Sequence, residues 1–160
     1  MCQRVIKPNG MEISEGNTVL TALALGSSLS ICMYDEKHRI GGMVHAILPE
    51  GNGLPQGRQN RISSVGEAIE ALYSGMLEYG AEAGNISGKL AGGARIFSFM
   101  TGNQEDIGRR NVEQARSKLQ ELGIPILAED TGENYGRTVY FHMSDGSLEI
   151  ETANRFKYTI

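Results

Sequence analysis

The chain has 160 residues, 40% of them hydrophobic and 21% charged, with a net charge of -4 at pH 7, which is enough to bury a core and is an ordinary balance for a globular protein. Its 15 Lys and Arg are outnumbered by 19 Asp and Glu and form no dense cluster, which argues against nucleic-acid binding through phosphate neutralisation. No apolar run is long enough to span a bilayer and the opening MCQRVIKPNGMEIS has no signal-peptide core, so neither membrane insertion nor secretion is expected.

Two cysteines, Cys2 and Cys32, make neither a disulfide framework nor a metal-ligand spacing, and a reducing cytoplasm is the expected location. In chain order, residues 19–25, 29–34 and 40–48 are apolar runs bounded by Gly, Ser, Asp or Pro, the signature of short strands. The polar DEKHR between the second and third predicts a hairpin turn. Residues 49–64, PEGNGLPQGRQNRISS, read as a long surface loop, of the kind that is usually functional or mobile.

Val65, Ile69, Leu72, Met76 and Leu77 then recur at helical spacing, with Ser63 or Ser64 as N-cap and Gly80 as the stop. ISGKLAGGARIFSF predicts a strand interrupted at Gly92-Gly93 by a bulge or a close backbone approach. A second helix is expected from Ile107 to Leu122, with Val112, Ala115, Leu119 and Leu122 on one face and Gly123 as C-cap. IPILAED is a strand, DTGENYG a loop, and RTVYFHM with SLEIET a hairpin closed by Ser144-Asp145-Gly146, leaving 153–160 as a tail. These elements describe one α+β domain over residues 1–160, richer in strand than in helix.

Local chemistry leaves alternatives open. Ser28 follows a Gly26-Ser27 break, and His45 is held between apolar neighbours. A serine needs an adjacent base to act as a nucleophile, so the two are either a catalytic pair or a turn serine and a core histidine. The pattern GSSLS misses the G-x-S-x-G elbow, because a strand and not a helix follows it. Asp130-Thr131-Gly132 matches the aspartic-protease triplet but occurs once and reads as a turn, with Asp130 bonding its own backbone. No glycine pattern cradles a nucleotide, and His38 and His142 have no partner at ligand spacing, so neither a cofactor nor a metal is expected.

The segments LGSSLSICMYD, GGMVHAILP, KLAGGARIF, IGRRNVEQARSKLQELGIPILAEDTGENYGRTV and the closing hairpin occur in an order that closely resembles the CheD-type chemoreceptor glutamine deamidases of bacterial chemotaxis, over about residues 15 to 152. The resemblance implies a single compact domain of packed β-sheets flanked by helices, similar to other cysteine-hydrolase folds such as deamidating toxins. It implies hydrolysis of glutamine side chains to glutamate on the cytoplasmic helices of methyl-accepting receptors, with a CheC-type phosphatase as a further partner. It also implies a Cys–His–Thr set. The histidine transfers to His45. The cysteine position is Ser28, and Cys32 matches a second, core cysteine. The threonine position falls in register on Ala22, with Thr21 one step away and so facing the other side of a strand unless a bulge intervenes.

Two further departures accompany these. The helix after the long loop opens Ser64-Val65-Gly66-Glu67 where the family has an aromatic-Ala-Asp type run, and a Thr-Gly-Gly-Asn loop has become Thr131-Gly132-Glu133-Asn134. Four departures together read as natural divergence and not as a single exchanged nucleophile. Because serine depends wholly on base assistance, family binding is expected to survive better than family catalysis.

Overall fold

The computed structural model describes residues 2–49, 64–95 and 106–160. In chain order it contains β1 (Cys2–Val5), β2 (Met11–Glu15), β3 (Thr18–Leu25), β4 (Leu29–Asp35), β5 (Ile40–Ala46), α1 (Val65–Tyr79), β6 (Ile86–Gly92), α2 (Ile107–Glu121), β7 (Ile126–Thr131), β8 (Arg137–His142), β9 (Leu148–Thr152) and β10 (Lys157–Thr159), with a single 3-10 turn at Ala83–Asn85. The strands form two five-stranded sheets, ordered β1-β3-β8-β9-β10 and β2-β5-β4-β6-β7. The β1–β3 and β6–β7 pairs are parallel and the rest antiparallel. This is the expected α+β class.

Side-chain alternation stacks three layers. From β4, Leu29, Ile31 and Met33 join Val44 and Ala46 of β5 against the helices. The intervening Cys32 and Tyr34, with Met43 and Ala91, instead meet Leu20, Ala22, Val139, Phe141 and Ile150 of the other sheet. Every residue of β4 and β5 is therefore buried, and both strands are mostly apolar on both faces, with Ser30, Asp35 and His45 as their buried polar residues. The helices close the second layer: Val65, Ile69, Leu72 and Met76 of α1, and Val112, Ala115 and Leu119 of α2, pack on the same cluster.

The helix boundaries follow their caps. Ser64 accepts from the Glu67 N–H, and Gly80 ends α1 at φ 124°. At α2, Asp106 is the N-cap, the helix stops at Glu121, and Leu122 is the C-cap ahead of Gly123 at φ 74°. Other boundaries differ from the expectation. β5 ends at Ala46, two residues short of Leu48. β6 ends at Gly92 because Gly92 and Gly93 both turn to positive φ; residues 96–99 of that stretch, and 50–63 of the expected loop, lie outside the described residues. Residues 153–160 are not a tail. Their last part is β10, which pairs Tyr158 with Ile150 on the edge of the first sheet.

Candidate active site

Ser28 lies in the link Gly26–Ser28 between β3 and β4. His45 is on β5, in register with Ser30 and on the same face as Met43, so its ring enters the layer between the sheets. The two meet at the end of that layer, with Ser28 Oγ 3.0 Å from His45 Nε2. The other ring nitrogen, Nδ1, lies 3.4 Å from the carbonyl oxygen of Ile6.

A carbonyl can only accept, so Nδ1 carries the proton and Nε2 presents its lone pair to the serine hydroxyl. Burial pushes the His45 pKa below its ordinary value, an effect only partly offset by the bond to Ile6. The ring is thus neutral near pH 7, in the tautomer that a general base for Ser28 requires.

Thr21 is not joined to this pair. Its hydroxyl is buried on the opposite face of β3 and accepts from Gln3 Nε2 at 3.2 Å, whereas Ala22 projects into the layer that holds His45. A bulge does exist: the β3–β8 register shifts between Ala22 and Leu25, with Ala24 at φ 53° and its N–H donating to Thr138 Oγ1 at 3.3 Å. It follows both Thr21 and Ala22, so it exchanges neither face. The backbone of Ile6, in the segment after β1, takes the place of a side chain in orienting His45. Its N–H in turn donates to the Thr21 carbonyl at 2.8 Å.

The link carrying Ser28 is held by its carbonyls. Gly26 O accepts from the Ala94 N–H at 2.9 Å and Ser28 O from the Gly93 N–H at 2.9 Å. Between them Ser27 O accepts from Asn111 Nδ2 at 2.8 Å, and the same nitrogen donates to Ile47 O at 2.9 Å. Asn111 thereby ties the serine link to the chain leaving β5. The sequence reading missed it, although a signal was present: a polar residue beside Val112 and one turn before Ala115 interrupts the apolar stripe of α2. Gly108, one turn earlier on that helix, packs without a Cβ against the carbonyls of Gly93 and Ala94.

Beside the pair opens a cleft of about 1040 Å³, lined by Ser28 and His45 together with Leu23, Ile47, Thr138, Glu151 and Arg155. Drug-sized pockets run to roughly 1000 Å³, so the opening admits a side chain presented by a larger partner. Arg155 reaches this lining from the turn before β10.

The remaining sequence candidates are structural. Asp130 is in β7 and does not bond its own backbone; it accepts from Arg137 Nε at 3.2 Å and from the Tyr158 hydroxyl. Arg137, wholly buried, also donates to Gly132 O at 3.0 Å and lies 4.7 Å from the centre of the Tyr135 ring. His38 pairs with Asp35 at 2.9 Å and Glu82 at 3.4 Å, and among the described residues no group of His, Cys, Asp or Glu is arranged to hold a metal ion. Cys32 is buried, and desolvation pushes its thiol up to about 12, so it is inert near neutral pH. Glu133, in the altered loop, stands at φ 62°, a conformation that costs a residue with a Cβ about 1 kcal/mol.

Comparison with known proteins identifies the family of the chain. The family model described as CheD chemotactic sensory transduction matches residues 47–152. A probable chemoreceptor glutamine deamidase CheD of Caldanaerobacter subterraneus is 39% identical over 142 residues, covering 88% of this chain and 87% of its own length. One of Moorella thermoacetica is 41% identical over 140 residues, covering 85% and 82%. The chemoreceptor glutamine deamidase CheD of Halalkalibacterium halodurans is 38% identical over 144 residues, covering 89% and 88%. With two sheets flanked by helices and similarity along most of its length, the chain belongs to the CheD family of chemotactic sensory transduction proteins.

Proposed function

We propose that this chain acts in the cytoplasm on chemoreceptors, binding their helices and converting selected glutamine side chains to glutamate far more slowly than a thiol at position 28 would. The observation that carries the reading is the 3.0 Å contact between Ser28 Oγ and Nε2 of His45 in the lining of an open cleft. The names of the relatives supply the substrate class.

The chemistry runs in two halves. Ser28 Oγ bonds to the amide carbon of the glutamine as His45 Nε2 takes the hydroxyl proton, and the carbonyl electron pair moves onto oxygen. Collapse breaks the C–N bond, and His45 returns the proton to the departing nitrogen, which leaves as ammonia. Water then attacks the ester with His45 again as base, releasing glutamate and restoring Ser28. A free thiol is a few per cent ionised near neutral pH, whereas the serine hydroxyl has no such reserve. Altering one member of a catalytic triad costs roughly four to six orders of magnitude in rate, and a deficit of that order is expected here.

A second reading, a receptor- or CheC-type-phosphatase-binding adaptor without turnover, is favoured by Ala22, which puts a methyl group where the family has a threonine. Intact-mass measurement of a purified receptor cytoplasmic fragment separates the two. Slow deamidation by the native chain, lost in Ser28→Ala and accelerated in Ser28→Cys, supports the enzyme. Binding with no mass change from either the native chain or Ser28→Cys supports the adaptor. A fragment neither bound nor changed overturns both.

A further inference from the structure

We propose that the peptide N–H groups of Ser27 and Ser28 form the oxyanion site of the cleft, and that Asn111 is the positioning residue that aims them. The inference rests on Ser28 being the nucleophile.

The argument is one of peptide geometry. The described chain has no cis peptide bond, so within each peptide unit the C=O and N–H point in opposite directions. The Gly26 carbonyl is turned toward Ala94 and the Ser27 carbonyl toward Asn111. The N–H groups of Ser27 and Ser28, which complete those two units, therefore point away from β6 and α2. The cleft opens on that side: Gly26, Ser27 and Ser28 line it, together with residues of β8 and β9, while Gly93, Ala94 and Asn111 do not. Neither N–H finds an acceptor among the described residues. Two adjacent donors beside a nucleophile, aimed at open space, meet the requirement for stabilising the negative oxygen of a tetrahedral adduct.

Asn111 carries features of a residue placed for this task. It is wholly buried, both protons of its amide nitrogen are used, and its Oδ1 finds no partner among the described residues. An orphaned buried acceptor has lost its hydration without a replacement bond, a penalty that an apolar residue on the same stripe would avoid. No other side chain among the described residues holds the Ser27–Ser28 peptide: the flanking carbonyls are held by backbone N–H groups, which substitution leaves in place.

Two reagents distinguish aiming from general support. In a Cys2→Ser, Ser28→Cys background, with Cys32 buried and silent, p-nitrophenyl acetate acylates the introduced thiol through a tetrahedral adduct. The S–C bond forms as the carbonyl electrons move to oxygen, and the C–O bond then breaks to release p-nitrophenolate. Iodoacetamide alkylates the same thiol by direct displacement of iodide, with no oxyanion. Adding Asn111→Ala, or Asn111→Ser should the first not fold, is expected to slow acylation about tenfold or more and to leave alkylation within about twofold. Parallel loss of both rates, or loss of neither, overturns the inference. A background thiol acylated and alkylated no faster than an exposed cysteine overturns the nucleophile itself.

Discussion

At the scale of the residue, the neutrality of His45 makes a prediction about pH. An ordinary histidine is half protonated near pH 6.5, about half a unit below neutral solution, and burial holds His45 below that value. Ester acylation by the native chain is expected to depend on Ser28 and His45, and to decline on acidification with a midpoint below the ordinary histidine value of about 6.5. A stopped assay with p-nitrophenyl acetate across that decline checks it, with His45→Gln as the baseline. The sign for stability is the same. Between the unfolded and folded pKa values only the unfolded chain takes up the proton, so stability is full above about pH 6.5 and is lost as the pH falls through the lowered value. Urea midpoints of the native chain should therefore fall on acidification more than those of His45→Gln.

Residues were legible in the sequence to different degrees. That Ser28 and His45 belong together came from the family pattern, because a loop serine and a strand histidine carry no periodic signal of their own. Asn111 left a readable mark as a polar residue on an apolar stripe. The Ile6 contact left none, since a backbone carbonyl is the same in every residue.

At the scale of the element, the two sheets are joined along one margin by side chains from three strands. Asp130 of β7 meets Arg137 of β8 and Tyr158 of β10, and Arg137 also ties down Gly132 beyond the end of β7. Removing the carboxylate leaves a buried guanidinium without its counter-charge. Asp130→Ala is expected to destabilise the chain by about 3 kcal/mol, measured from urea unfolding, and adding Arg137→Met should recover part of the loss by removing the orphaned charge.

The long strands and both helices were legible because burial imposes apolar runs and a 3.6-residue period. Three short strands were not. β1 and β10 are exposed at every position and β2 is buried only at Ser14, so neither alternation nor an apolar run marks them, and their pairing is decided by neighbours distant in sequence. The bulge after Ala22 was equally silent: Ala24 takes a positive φ without the glycine that would announce it.

At the scale of the molecule, protection should follow the layering. β4 is flanked by β5 and β6, covered by helices on one face and by a sheet on the other, and buried throughout. Its amides should exchange with deuterium most slowly of all the described strands, and those of the exposed edge strand β1 among the fastest. Mass-spectrometric hydrogen exchange resolves the difference. Faster exchange in β4 than in β8, the central strand of the other sheet, would contradict this layering.

The acceptor that sets the tautomer of His45 is a main-chain atom. A saturation screen of single codons would pass over Ile6 as an ordinary apolar site, because every replacement keeps the carbonyl. The vulnerability lies in the path of the leading segment, fixed by the β1–β3 pairing and by the Asn9 N–H bond to the His45 carbonyl at 2.7 Å. A proline that bends this segment, or a fusion tag that pulls it away, is expected to free the His45 ring from its acceptor without touching any side chain of the proposed site. In this protein the genetics of the proposed active site would extend to the route the backbone takes before the first residue of the pair is reached.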